Sequence, residues 1–136
     1  LISHKHRIKI YYKDVDQMGI VYYSRYLEFF EEARTELLSS IGLNVTTIED
    51  YGIYIPVIVS HCEYKKAAKL EDSLVIESRI KEIPKTKLEI VYFVRDSKRN
   101  TFIAKGYTLH AFVKSDGLPT RAPQFLLNCI KNCIND

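Results

Sequence analysis

The run YKDVDQMGIVYYSRYLEFFEEARTELL, Tyr12 to Leu38, decides how the rest of the chain is read. Tyr26, Phe30, Ala33, Leu37 and Ile41 recur at helical spacing, and Leu27, Arg34 and Leu38 widen the stripe. Glu28, Glu31, Glu32 and Glu36 occupy the other side. The pattern predicts one long amphipathic helix opening at Tyr23 or Ser24, with Ser24 as its N-cap and Gly42 as its C′ stop. Asp14, Asp16 and Gly19 stand just ahead of it, followed by the apolar pair Ile20-Val21. A helix start offers unpaired N–H groups and a partial positive charge to a developing oxyanion. A carboxylate beside it can act as base or nucleophile, so this junction is the candidate active site.

Outward from the helix the periodicity falls to two. His6 to Lys13 alternates, placing Ile8, Ile10 and Tyr12 on one side and Arg7, Lys9 and Tyr11 on the other, as in a half-buried strand. Beyond a connector at Leu43 to Gly52, Ile53 to Lys65 reads as a strand whose first part Pro56 marks as an edge or bulge. Leu74–Ile83 and Lys87–Arg95 form a hairpin about Pro84-Lys85-Thr86, and Thr101–Lys114 is the last long strand. Phe125–Ile134 closes the chain as a short helix. One strand, one apolar helix and four further strands make a single α+β domain, its antiparallel sheet wrapped around the helix.

Composition narrows the function. The chain has 136 residues, is 46% hydrophobic and carries a net charge of +3, without a clustered basic face; this argues against nucleic acid. No apolar stretch approaches the length that spans a bilayer. The opening LISHKHRIKIYY has no apolar core of the secretory kind, and Cys62, Cys129 and Cys133 form no CxxC pair. The expectation is a cytoplasmic, reducing setting with no structural disulfide. Cys129 and Cys133 fall on one helix face without further ligands nearby and read as packing residues, so neither a metal nor a cofactor is expected.

The helical stretch resembles the signature of the 4-hydroxybenzoyl-CoA thioesterase family, most closely its YbgC-like acyl-CoA thioesterase branch. The matching residues are Tyr12, Asp14, Asp16, Gly19, Val21, Tyr22, Tyr26, Phe30, Glu31, Ala33, Arg34 and Glu36. Tyr64 to Asp72 is similar to the family's Y-x-x-P-A-x-x-x-D segment, with Ala67 in place of proline, and Arg121-Ala122-Pro123 to its R-x-P end. The resemblance implies a hotdog fold, a five-stranded antiparallel sheet curled around the long helix, dimerised edge to edge and often paired into tetramers. It implies that Asp16 is the catalytic carboxylate and that the backbone N–H of Tyr23 polarises the thioester carbonyl. The YbgC-like branch usually has a histidine where this chain has Tyr23; the 4-hydroxybenzoyl-CoA branch has tyrosine. The resemblance also places Lys85, Lys87 and Arg121 near the phosphates of coenzyme A.

This chemistry suits the residues. A thiol with a pKa of about 8.5 leaves readily, so hydrolysis needs no strong general acid. Asp16 either attacks the carbonyl or activates a water, and Gly19 is grouped with Asp16 and Tyr23 as a candidate catalytic residue. Asp14 reads as a turn-holding residue, Arg34 as the partner of a carboxylate such as Glu31 or Asp14, and His61 and His110 as half-buried strand residues. The leading function is acyl-CoA hydrolysis. The alternatives are hydrolysis of an acyl group from a carrier protein, and a non-catalytic acyl-CoA-binding protein.

Overall fold

In a computed structural model, residues 1–134 are described. The long helix α1, Tyr23–Ser40, is preceded by strand β1, Ile2–Lys9, and followed by a short helix α2, Val45–Asp50. Then come β2 (Ile53–Tyr54), β3 (Val57–Tyr64), β4 (Ser73–Ile80), β5 (Lys87–Asp96), β6 (Phe102–Lys114), β7 (Pro119–Thr120) and the closing helix α3 (Gln124–Ile134). The long strands lie antiparallel in the order β1-β4-β5-β6-β3, and the two-residue strands β2 and β7 also pair with β6. The five-stranded expectation thus holds for the body of the sheet, which has seven strands once those short pairings are included.

Strict alternation makes the inner face. Leu74, Ile76 and Ile80 of β4, and Leu88, Ile90, Tyr92 and Val94 of β5, are buried one residue in two. Onto them α1 lays Tyr26, Phe29, Phe30, Ala33, Leu37 and Leu38. Phe30 stacks on Tyr92 with ring centres 4.2 Å apart, and its full burial contributes roughly 2–3 kcal/mol. Gly106 of β6 makes that packing possible. A Cβ there would run into the His61 carbonyl oxygen and stand 2.8 Å from the Phe30 ring. The helix lies closest to β1 and β4, leaving the inner side of β3 less covered.

Several element boundaries differ from the alternation pattern. β1 begins earlier and stops at Lys9, because Ile10 turns inward and Tyr12–Asp14 winds into a 3-10 turn. Its inward side is Ile2, His4, His6 and Ile8, so Tyr12 stays exposed. The N-cap of α1 is Tyr22 rather than Ser24, with no side-chain cap bond. Ile53 to Lys65 is cut at Ile55-Pro56, where the proline has no N–H to give, and the register with β6 shifts between Val57 and Val59.

Candidate active site

The loop before α1 is closed by an antiparallel bridge between Val15 and Val21. Inside it, Asp16 does two jobs. Its backbone N–H donates to the Ile20 carbonyl at 2.9 Å, and its own carbonyl accepts from the Gly19 N–H at 3.0 Å. Its Oδ1 accepts from the N–H groups of Met18 (2.8 Å) and Ile20 (3.2 Å). Oδ2 has no hydrogen-bond or ion-pair partner among the described residues. One carboxylate oxygen therefore fixes the loop while the other is available for chemistry. Gly19 sits at φ +75°, a left-handed conformation that a side chain would strain.

A second segment anchors this loop. Val21 N–H donates to the Ala68 carbonyl, Leu70 N–H to the Gly19 carbonyl, and Ile20 bridges Lys69. The two separate stretches that carry the resemblance are thus side by side. Tyr64, which heads the second, donates its hydroxyl to the Tyr23 carbonyl at 3.2 Å, and its ring lies 4.6 Å from that of Tyr23. The N–H of Tyr23, first in the helix, has no acceptor among the described residues, as a first-turn donor should. Burial raises the phenol of Tyr26 to about 12 and raises the thiol of Cys62, so both stay neutral near pH 7 and neither competes as a nucleophile.

The other expected residues divide. Asp14 is buried and structural: its Oδ2 accepts from the Tyr11 N–H at 2.9 Å, and its Oδ1 lies 3.8 Å from Arg25 Nε. Its cations are therefore Arg25 and, at 4.0 Å, Lys13, not Arg34. Arg25 sits in the first turn of α1 and reaches back to the Lys13 carbonyl, whereas Arg34 is about two and a half turns further along. Arg34 makes no ion pair with Glu31 either; among the described residues it has no carboxylate within 4 Å. It lies near Tyr92 instead, where its charge opposes the rise that burial gives the phenol's pKa.

That contact opens a buried polar chain that the strand pattern hides. Tyr92 and Thr108 share a hydrogen bond of 2.7 Å, Thr108 and His110 Nε2 one of 2.8 Å, and His110 Nδ1 lies 3.1 Å from the Ile55 carbonyl. A carbonyl only accepts, so Nδ1 carries the proton, Nε2 accepts from Thr108, and the Thr108 oxygen accepts from Tyr92. His110 is fully buried, not half-buried, and burial pushes its pKa down to about 4, with Arg34 adding to the fall and the Ile55 bond opposing it. His61, by contrast, is exposed and lies 3.3 Å from Glu63. The sequence signal for the chain was parity: Tyr92, Thr108 and His110 all fall on inward positions of their strands.

Lys85, Lys87 and Arg121 come together, since the Ala122 N–H donates to the Lys85 carbonyl, but not at Asp16. They lie where β5 begins, and the Asp16 loop lies by the end where it finishes, about 30 Å away along nine strand steps. Within one chain the catalytic and phosphate-binding candidates are at opposite ends of the sheet. Among the described residues no helix is long and apolar enough to cross a membrane, and no cluster of three or more metal-ligating side chains occurs.

Comparison with known proteins identifies the family. The family model for the thioesterase-like superfamily matches residues 11–130. The acyl-CoA thioesterase YbgC of Haemophilus influenzae is 35% identical over 103 residues, covering 75% of this chain and 74% of that protein. A hypothetical protein of Thermus thermophilus superposes with a TM-score of 0.88 at 26% identity, covering 95% of this chain and 98% of the other. A 4-hydroxybenzoyl-CoA thioesterase mutant solved with 4-hydroxybenzoyl-CoA shares the fold at 20% identity, with a TM-score of 0.85 over 95% of this chain and 99% of its own. With a family model spanning nearly its whole length and a sheet wrapped around α1, the chain belongs to the thioesterase-like superfamily and has the hotdog fold.

Proposed function

We propose that this protein hydrolyses acyl-CoA thioesters to the free acid and coenzyme A. The observation that carries the reading is the Asp16 loop: a carboxylate with one oxygen pinned and one free, beside a helix whose first N–H has no acceptor. The thioester carbonyl oxygen accepts from the Tyr23 N–H, which bears the charge that develops on it. Asp16 Oδ2 either attacks the carbonyl carbon or takes a proton from the water that does. Either way the carbon–sulfur bond breaks, the thiolate leaves, and water supplies the new oxygen of the acid. The resemblance to an acyl-CoA thioesterase over three quarters of the chain supports the substrate class.

The site is completed by a second copy of the chain. β3 is an edge strand, yet Val57, Ile58 and Val59 are 41%, 47% and 40% exposed, more apolar surface than a free edge carries safely. Antiparallel pairing of two β3 edges about a two-fold axis sets the far end of one sheet beside the near end of the other. Lys85, Lys87 and Arg121 of one protomer then approach the Asp16 end of its partner, where coenzyme A phosphates need cations. Pairs of such dimers would make the tetramer. Free, half-buried cysteines suit a reducing, cytoplasmic setting.

The test is Asp16→Asn, which keeps shape and removes the base or nucleophile. Thiol release from an acyl-CoA panel should fall by about 100-fold or more. Turnover within about threefold of the unaltered protein would overturn the assignment.

A further inference from the structure

The start of α1 lacks the devices that usually fix a helix end. Its N-cap, Tyr22, makes no side-chain hydrogen bond to the first turn, and no acidic residue stands in that turn. The first turn is therefore left to be held from outside the helix. Upstream, the Tyr22 N–H donates to the Asp14 carbonyl at 3.1 Å and the Val21 N–H to the Ala68 carbonyl. Within the turn, the Arg25 N–H closes back on the Tyr22 carbonyl at 3.0 Å. On the far side of the Tyr23 N–H, the Tyr23 carbonyl accepts from the Tyr64 hydroxyl at 3.2 Å. Among the described residues no other side chain reaches that carbonyl.

Tyr64 is itself firmly placed. It closes β3 opposite Ala104 of β6, and just beyond it the Lys65 and Lys66 N–H groups both donate to the Ile103 carbonyl. Its ring lies 4.6 Å from that of exposed Tyr23 and, edge on, 5.2 Å from that of buried Tyr26. Partial burial pushes its phenol up to about 12, with Cys62 adding to the rise, so the hydroxyl keeps its proton and stays a donor near pH 7. A carbonyl oxygen has two lone pairs, so that of Tyr23 can take the N–H of the next helical turn and the phenol together. The bond of 3.2 Å is longer than the common hydroxyl–carbonyl distance of about 2.7–2.8 Å. Contacts around a reacting group often shorten once substrate is bound, and this one has room to do so.

We propose that Tyr64 is a positioning residue, whose hydroxyl holds the Tyr23 carbonyl and thereby keeps the Tyr23 N–H aimed at the thioester oxygen. This rests on the hydrolase reading above and adds to it a residue of β3, 41 positions away in the chain. The N–H and the carbonyl belong to one residue with two soft dihedrals, so anchoring one limits how far the other can turn. Charge growing on the substrate oxygen pulls on the N–H, and the Tyr64 bond resists that pull from the opposite side. Tyr64 acts through Tyr23 and needs no contact with substrate. A misplacement of about 1 Å at a reacting centre can cost roughly 100-fold, so a slack first turn is felt in the chemical step.

The experiment is Tyr64→Phe, which keeps the ring between Tyr23 and Tyr26 and removes only the hydroxyl. On whichever of acetyl-, hexanoyl- and benzoyl-CoA turns over fastest, kcat should fall by at least about tenfold with KM within about twofold and the urea midpoint unchanged. Two further readouts separate positioning from packing. In the Asp16→Asn background, the carbonyl stretch of the same acyl-CoA, isotope-labelled at that carbon, should move to lower frequency on binding. Adding Tyr64→Phe should remove at least about half of that shift. Amide hydrogen exchange at Tyr23 and Ser24 should quicken at least about fivefold in Tyr64→Phe, with exchange along β3 unaltered. An unchanged kcat, or a carbonyl shift left intact, would overturn the inference and leave the Asp16 chemistry standing. Absence of turnover on every acyl-CoA would overturn the hydrolase reading, and this inference with it.

Discussion

His110 offers the most quantitative test of the structure. In the native chain its ring is neutral, donating to Ile55 and accepting from Thr108. Protonation would turn Nε2 into a donor, force Thr108 to reverse, and leave the Tyr92 hydroxyl aimed at Arg34, which has only donors to offer. The native pKa of about 4 lies below the ordinary 6.5. Between those values the unfolded chain binds one proton more than the native one, so stability falls as pH falls. It is fully present above pH 6.5. About 2 kcal/mol is lost by pH 5 and about 3 kcal/mol by pH 4, at 1.36 kcal/mol per pH unit. Urea denaturation of the unaltered protein and of His110→Gln, at one protein concentration and several pH values, isolates the term. Gln keeps a donor and an acceptor but does not titrate. The difference between the two proteins should shrink by about 2 kcal/mol from pH 7.5 to pH 5. A difference that stays constant, or grows on acidification, would refute the neutral, one-directional chain.

Tyr23→Phe should keep turnover within a fewfold of the unaltered enzyme, because the oxyanion donor assigned here is its backbone N–H; loss on the scale of Asp16→Asn would make the phenol a participant. Ile58→Lys, placed on the exposed edge of β3, should give monomers by light scattering where the unaltered protein gives the proposed dimer, and abolish turnover with it, whereas a fully active monomer would contradict the shared site. Gly106→Ala should destabilise the fold by at least about 2 kcal/mol in urea, since its Cβ meets the His61 backbone carbonyl and the buried Phe30 ring; an unchanged midpoint would refute the close approach of β3 and Phe30.

The parts of this molecule that sequence displays are those set by local periodicity. The α1 stripe, the C′ glycine and the strands about Lys85 follow from local pattern, and the structure keeps them, except that Phe29 is buried in the stripe and Leu27 is exposed. What periodicity cannot show is which polar residues meet. Arg34 sits among four glutamates along α1, so an ion pair on the helix surface was the natural expectation. Its place on the inward edge of the stripe instead brings it to Tyr92, 58 positions away in the chain. His110 carries the same lesson, because its partners come from β6 and from the bulged approach to β3. The Asp16 loop was visible as a motif, but the division of labour between its two carboxylate oxygens needed coordinates. Separation of Lys85, Lys87 and Arg121 from Asp16 is a property of sheet topology, to which no local pattern refers.

The off-centre seat of α1 has an evolutionary consequence. Side chains under the helix on β4 and β5 are held by mutual packing, and almost any change there is felt as lost stability. Those along the β3 side, Val57, Ser60 and Cys62, are only partly covered and have slack around them. A lineage can rewrite that strip without first acquiring compensating mutations in the core. Robustness and adaptability are thus assigned to different parts of one sheet, and the β3 side is free to drift faster than the packed strands.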